Sequence, residues 1–321
     1  MFTCVYTFLF IVGTVFGDDE NQAKLRYYYN SFEDYTELPF DRATEIFSKT
    51  WYNSSRTTTI FCHGFTGHPE GPAITAIMKA YLEQGQSNVV LLNWDRLAAS
   101  IFNAIPQSYL NWAVPNSIKL GVDFAEILMK LSDAGLDLNK THLVGHSLGA
   151  HIMGMAGNLI AKKGVLLPWI TGLDPAGIGF DSKFPEEKLS PKSARFVDII
   201  HSDPNKYGTI RSLGTVDFWP NYRSVGRVIQ PGCVPRISTP FSPEDLCNHN
   251  RSWELYLDAM KQPETIIGSH AKSFRVWKKY NKKQRAEKVL EIGKFEPNAV
   301  PGNYYLLTSA KSPFGLGENG L

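Results

Sequence analysis

A serine set between two glycines carries the most specific chemistry in this sequence. Gly145-His146-Ser147-Leu148-Gly149 is a G-x-S-x-G run, preceded by short, partly β-branched residues and followed by small and apolar ones suited to a helix. At a strand-to-helix turn such a serine is held in strained backbone geometry that lifts its hydroxyl clear of the sheet. Ser147 is therefore the candidate nucleophile. The Leu148 N–H, opening the helix, would face the oxygen that turns negative when Ser147 attacks a carbonyl, which supplies one half of an oxyanion hole. A chance Gly-Ser turn would explain the motif alone. The small residues Gly149, Ala150, Gly154, Ala156 and Gly157, which let the helix approach a sheet closely, favour the catalytic reading.

Such a serine needs a second oxyanion donor, a base and an acid. The apolar run Thr58–Cys62 leads into His63-Gly64-Phe65, and a loop after an early strand is where α/β-hydrolases place their second donor, so Phe65 N–H is the candidate. Alone, this loop reads as an ordinary connection with Phe65 plugging the core. The acid is expected after the serine and before the histidine. Asp174 ends the run 165–173, at the strand edge where open α/β sheets carry their sites. Asp198, between Val197 and Ile199, is expected to make a structural hydrogen bond or ion pair, and Asp203 reads as a solvated turn residue or cap. Three histidines follow Asp174, namely His201, His249 and His270. His249 lies between Cys247, which can pin its loop, and a helix expected from Arg251. It is the choice for general base and acid. His201 ends a strand and could bond backbone, and His270 has nothing to orient it.

The elements that must position these groups follow from periodicity. Strands are expected near Lys24–Tyr29, Thr58–Cys62, Asn88–Asn93, Thr141–Val144, Trp169–Gly172 and Arg195–His201, and helices near Ala73–Gln84, Val114–Ala134, Leu148–Ala161 and Arg251–Met260. Strands alternating with helices imply an α/β fold, with a mostly parallel sheet covered on both faces. Residues 5–16 are largely apolar but too short a run to span a bilayer, and read as a secretory signal ending near Gly17. The rest, 18–321, is expected to be one domain of an extracellular protein. With 33 Lys and Arg against 31 Asp and Glu, the net charge of +2 offers no field for nucleic acid. Cys4 would leave with the signal, and the odd count Cys62, Cys233 and Cys247 means one disulfide and a free thiol, or an intermolecular bridge. Asn53 and Asn139 are candidate glycosylation sites, whereas Asn250, beside His249, is expected to stay bare.

GHSLGAH, TGLDPAG, FVDIIHSD, DFWPNYRSVGRVIQPGC and CNHNRS, in that order, resemble the pancreatic lipase family of secreted lipases and phospholipases A1, particularly its insect members. The likeness covers about 58–315. It implies an α/β-hydrolase fold, a Ser147, Asp174 and His249 triad, Phe65 and Leu148 as oxyanion donors, and a Cys233–Cys247 lid-loop disulfide that leaves Cys62 free. No cofactor is implied, and the substrate is expected to be a lipid at a membrane or lipid surface.

Departures from the family narrow the expectation. Where pancreatic-type members carry acidic calcium ligands this chain reads Leu189-Ser190-Pro191-Lys192-Ser193, so no metal is expected. The chain ends soon after Phe314, so neither a C-terminal β-sandwich nor a colipase-type partner is expected. The lid loop, 234–246, contains Pro235, Pro240 and Pro243 and cannot form a long amphipathic helix. The loop after His201 is also short and polar, and neither is expected to wall the site with much apolar surface. Family members with both loops shortened are phospholipases A1, so hydrolysis of the sn-1 ester of phospholipids is the expectation. A triacylglycerol lipase or galactolipase is the alternative within the family, and a non-catalytic, yolk-type lipid-storage protein the alternative outside it.

Overall fold

The computed structural model describes residues 22–223, 228–234 and 239–321. The expected signal segment with Cys4, and Pro235 of the lid loop, lie outside the described residues. The chain runs β1 Lys24–Tyr28, β2 Tyr35–Pro39, β3 Thr57–Cys62, α1 Pro72–Gln84, β4 Ser87–Asn93, a short α2 Ile105–Ser108 that continues through a π turn into α3 Val114–Ala134, β5 Thr141–His146 and α4 Leu148–Lys162. It continues with β6 Trp169–Leu173, β7 Phe196–Ile200, β8 Val216–Pro220, α5 Cys247–Lys261, β9 Ile267–His270, α6 Phe274–Trp277, α7 Lys282–Ala286, β10 Val289–Glu291 and β11 Gly302–Leu306.

Among the described residues eleven strands form one sheet in the order β10-β9-β11-β8-β7-β6-β5-β3-β4-β1-β2. The segment from β4 to β11 is parallel throughout, and antiparallel pairing is confined to the two ends. Parallel strands are covered on both faces, so both sets of alternating side chains must be apolar. Ile60, Val90, Leu92, Leu143, Ile170 and Val197 pack on one face with α3 and α4. Phe61, Val89, Leu91, Val144, Phe196 and Ile200 pack on the other with residues of α1 and α5. Both layers are buried, which accounts for the continuous apolar runs in the sequence.

The strand order places the site. From β3 the chain steps outward to β4 and then returns to the other side of β3 as β5. The carboxyl ends of β3 and β5 therefore flank a crevice at a point where the strand order reverses, and open α/β sheets bind ligands there. His63 follows β3 and Ser147 follows β5, on opposite lips of that crevice.

β2 and β8–β11 were not expected. β8 has the buried acid Asp217 as its second residue, which interrupts the apolar run that marks a buried strand. Helix α5 begins at Cys247, not Arg251, with Asn250 N bonded to Leu246 O at 2.8 Å. His249 consequently lies in the first helical turn and not in a loop before it. That turn carries polar and site residues in place of core ones, so helical periodicity becomes visible only further on.

Candidate active site

Ser147 has φ 57° and ψ −118° between the last residue of β5 and the first of α4. For a residue with a Cβ this is a costly conformation, held only where the surroundings enforce it. Here they do so by hydrogen bonding and packing: Ser147 N donates to Leu173 O at 3.0 Å, and Ala150 N donates back to Ser147 O at 3.2 Å. At Gly149 any Cβ would run into the carbonyl oxygens of Cys62 and His63, so α4 can lie against the end of β3 only if this residue is glycine. The serine is buried apart from a small opening, with the N-terminus of a 15-residue helix directly behind it.

The loop after β3 comes to the same point. A Cβ on Gly64 would stand 2.7 Å from Ser147 Cβ and 3.2 Å from its Oγ, so the peptide leading to Phe65 passes immediately beside the serine hydroxyl. His63 fixes this loop. Its Nδ1 hydrogen-bonds Gly64 O at 2.9 Å, its carbonyl accepts from Trp94 Nε1 at 2.9 Å, and its ring stacks on Trp94. Burial pushes the His63 pKa down to about 4, so it serves as a neutral structural imidazole. The Phe65 ring packs against Tyr109 and Phe241. Phe65 is half-buried, and its ring packs against the core and lines the cavity in place of filling the interior.

Asp174 follows β6, is fully buried, and has φ 43°. Its Oδ2 meets His249 Nδ1 at 2.5 Å, and its Oδ1 accepts from the backbone N–H groups of Ser202 and Asp203 at 2.8 and 3.0 Å. A carboxylate with an imidazole on one oxygen and two amides on the other is held in a single orientation. His249 is fixed from behind, its carbonyl accepting from Ser202 Oγ at 3.2 Å and Ser252 Oγ at 2.9 Å. The His146 ring lies 4.6 Å from that of His249. Burial, followed by the neighbouring His249, keeps His146 well below the usual histidine pKa. Ser147 and His249 both line one cavity of about 450 Å³, walled by Phe65, Tyr109, Ile178, Tyr207 and Phe241.

The structure brings Ser147, Asp174, His249, Leu148 and Phe65 together and leaves the competing residues elsewhere. Asp198 is buried and accepts from Trp169 Nε1 and Thr171 Oγ1, both at 2.7 Å, the structural hydrogen bonding expected of it. His201 pairs with the carboxylate of Asp217 at 2.7 Å and stacks on Trp219; the expected backbone bond is replaced by a carboxylate. His270 packs edge-on against Tyr304. Asp203 corrects the sequence reading: it is buried, not a solvated turn residue, and neither carboxyl oxygen has a partner. Burial, then the adjacent charge of Asp174, pushes its pKa up to about 8.

Cys233 and Cys247 are bonded, with Cα atoms 5.7 Å apart, and Cys62 is a buried free thiol. Burial raises the Cys62 pKa, so the thiol is unreactive. Asn53 and Asn139 are exposed, while Asn250 is half-buried and lines the cavity. In the loop lacking acidic residues, Ser193 Oγ donates to Asn158 Oδ1 at 2.9 Å and accepts from Ser190 N at 3.0 Å, so hydroxyl and amide groups bind the turn together.

Sequence reasoning missed a clasp between the two loops over the site. Asp245 accepts from Lys206 Nζ and Tyr207 Oη, each at 2.5 Å, and from Phe241 N at 3.0 Å. Phe241 is thereby set 4.9 Å from the Tyr207 ring and 5.6 Å from Phe65. With Pro243 and Leu246 it gives the cavity an apolar wall, so the expectation that these loops would contribute little apolar surface is corrected. Short loops still cover the site when a polar clasp pins a few rings in place. No spacing along the chain connects Tyr207 with Phe241, and no signal in the sequence could have found them.

Residues 20–314 match the Lipase family. Lipase member H-A of Xenopus laevis is 36% identical over 228 residues, 70% of this chain and 46% of that protein. Lipase member H of Oryctolagus cuniculus is 34% identical over 246 residues, 75% of this chain and 51% of that protein. Phospholipase A1 member A of Rattus norvegicus is 31% identical over 227 residues, 70% and 46% of the two chains. The chain spans about half the length of these curated relatives. A solved ferulic acid esterase of Anaeromyces mucronatus is similar at 16% identity and a TM-score of 0.32, over 57% of this chain and 72% of that one. The fold is that of an α/β hydrolase, and with the match covering nearly its whole length the chain belongs to the pancreatic lipase family of ester hydrolases.

Proposed function

We propose that this chain is a secreted serine hydrolase that cleaves the sn-1 acyl ester of phospholipids through Ser147, His249 and Asp174. The observation that carries the catalytic reading is the Asp174–His249 pair at 2.5 Å opening on the same cavity as Ser147 on its strained turn. His249 Nε2 takes the hydroxyl proton as Ser147 Oγ bonds to the acyl carbon. The carbonyl oxygen becomes an oxyanion facing Leu148 N–H and Phe65 N–H. The imidazolium then returns the proton to the departing glycerol oxygen, leaving the acyl group on Ser147. Water, deprotonated by His249, attacks the acyl-enzyme and releases the fatty acid. Asp174 keeps the proton on Nδ1 so that Nε2 is free to act as base.

The preference for phospholipid rests on loop length. Thirteen residues separate Cys233 from Cys247, too few for a long amphipathic lid. A phosphate at the rim of the cavity can stay hydrated, which avoids burying an unpaired charge. The family includes a protein named Phospholipase A1 member A, at 31% identity. The roof of Phe65, Tyr207 and Phe241 favours the second reading, a triacylglycerol lipase, because it offers apolar contact to a third acyl chain. Among the described residues no helix is long and apolar enough to cross a membrane.

The test is a side-by-side assay on phosphatidylcholine and a triacylglycerol with position-specific acyl labels. Release of the sn-1 fatty acid from the phospholipid, at a rate well above that on triacylglycerol, is expected. A rate that rises sharply when a short-chain triacylglycerol passes its solubility limit, with phosphatidylcholine untouched, would select the second reading. Absence of turnover on every ester would select a non-catalytic lipid carrier.

A further inference from the structure

Charge is distributed very unevenly along this chain. Residues 272–288 contain eight Lys and Arg against the single acid Glu287, a net charge of +7 in 17 residues, whereas the whole chain carries only +2. The remaining residues therefore sum to −5. The segment leaves β9 and returns to β10 as an excursion containing α6 and α7. Lys272, Arg275, Lys278, Lys279, Lys282, Lys283 and Lys288 are exposed. Among the described residues none of the seven has a carboxylate within ion-pair distance. Unpaired like charges at this density repel one another, a cost with no return inside the fold.

Two of the eight cations lie over aromatic rings. Arg285 sits 3.8 Å above the Trp277 ring and Lys278 5.4 Å from that of Phe274, and these rings continue inward to Tyr305 and Tyr222. Val289, beside Lys288, is 44% exposed. Cations with apolar stems above rings, next to an exposed aliphatic side chain, are the composition of a surface suited to a water–lipid boundary. The chain leaves β9 and returns to β10 toward the amino end of β11, with Ala271 N bonded to Asn303 O and His270 N to Lys288 O, and between these ends Phe274 packs at 5.2 Å on Tyr222, just past the carboxyl end of β8.

We infer that the segment 272–288 docks the protein on an anionic lipid surface. The choice of a lipid surface over other polyanions rests on the lipid-ester reading of the active site. The docking itself is read without turnover, so either can fail alone. Each Lys or Arg near a negatively charged bilayer strengthens binding by about fivefold, and the attraction fades as salt shortens the Debye length.

The experiment uses full-length Ser147→Ala protein and vesicle sedimentation. Binding to vesicles of phosphatidylglycerol is expected to exceed binding to phosphatidylcholine vesicles by at least about 100-fold in low salt, and the difference is expected to collapse in about 0.5 M salt. The quadruple variant Lys278→Glu, Lys279→Glu, Lys282→Glu, Lys283→Glu is expected to lose most of that binding. A milder quadruple Lys→Gln set at the same positions should fall between. With Ser147 intact, both sets should still hydrolyse a water-soluble short-chain ester at the parent rate, which shows that they fold. Equal binding to the two vesicle types, or undiminished binding by both variants, would overturn the inference. So would tighter capture by dextran sulfate than by phosphatidylglycerol vesicles, because it would make the surface a polysaccharide site.

Discussion

The two halves of the proposed active site are built in different ways. The nucleophile half, residues 141–157, is one contiguous stretch: a strand end, a serine at φ 57° and a close-packed helix. The proton-transfer half is assembled from separate segments, with Asp174 after β6, the Ser202 and Asp203 amides after β7, and His249 at the start of α5. In the first, strain is set by local backbone bonds. In the second, charges are oriented by groups distant in sequence. A local device fails when an atom is removed from it, whereas a distributed one fails by degrees, according to how many other contacts still hold the group.

The largest effect should come from the local half. Ser147→Ala removes a hydroxyl from a turn whose backbone is fixed by Leu173 and Ala150, so ester hydrolysis should fall by about 10⁴-fold or more while the unfolding midpoint stays unchanged. Turnover retained within tenfold would end the assignment of Ser147. His249→Ala should cost almost as much, since members of such a set act as a unit. Asp174→Asn comes next, with a loss of about 10³- to 10⁴-fold, because an amide can hold the imidazole in the wrong tautomer. Steady-state kcat on a soluble ester measures all three.

The same contrast explains what could be read in the sequence. The turn at Ser147 was legible because strand, glycines and helix follow one another directly, and α1, α3 and α4 were legible because their apolar stripes are unbroken. Asp174 is singled out by its place past a buried strand, and the structure puts its carboxyl group against His249. His249 is singled out by a neighbouring cysteine, although its segment reads as a loop where the structure has the first turn of α5. Asp203 was misread because Asp203-Pro204-Asn205 has the composition of a solvated turn. Its burial arises from tertiary packing against Asp174 that no local pattern encodes. Tyr207, Phe241 and Asp245 were missed for the same reason.

Breaking the clasp should have an intermediate effect. Asp245→Asn keeps the shape but removes the charge that binds Lys206, Tyr207 and Phe241 N. Charge-assisted bonds contribute about 1.5–3 kcal/mol each, but exposure of Lys206 and solvent screening reduce that value here. Hydrolysis of a long-chain phospholipid is expected to drop by about tenfold, mostly through KM, with a smaller change on a soluble short-chain ester that does not reach the Phe241 wall. An equal loss on both substrates would mean that the clasp orients His249 and not the wall.

The smallest catalytic effect is expected at Asp203, where the comparison can be made between two adjacent carboxyl groups. Asp174 has three hydrogen-bond partners, His249 Nδ1 and the Ser202 and Asp203 amides. Asp203, which lends Asp174 its backbone N–H, has none on its side chain and is held neutral by burial, with a pKa raised to about 8. The folded pKa lies above the unfolded value near 3.9, so the folded state binds more protons between these limits. The stabilisation linked to that proton is complete below about pH 4 and is lost as the pH rises toward 8. Asn at position 203 cannot ionise. Asp203→Asn should leave kcat on a soluble ester within about twofold, yet it should flatten the decline of the urea midpoint between pH 5 and pH 8.5. Parallel pH profiles for parent and variant would show that Asp203 is ionised in the fold. In that case burial beside Asp174 would not be what sets the protonation of Asp203, and the decline in stability with pH would have to come from other groups.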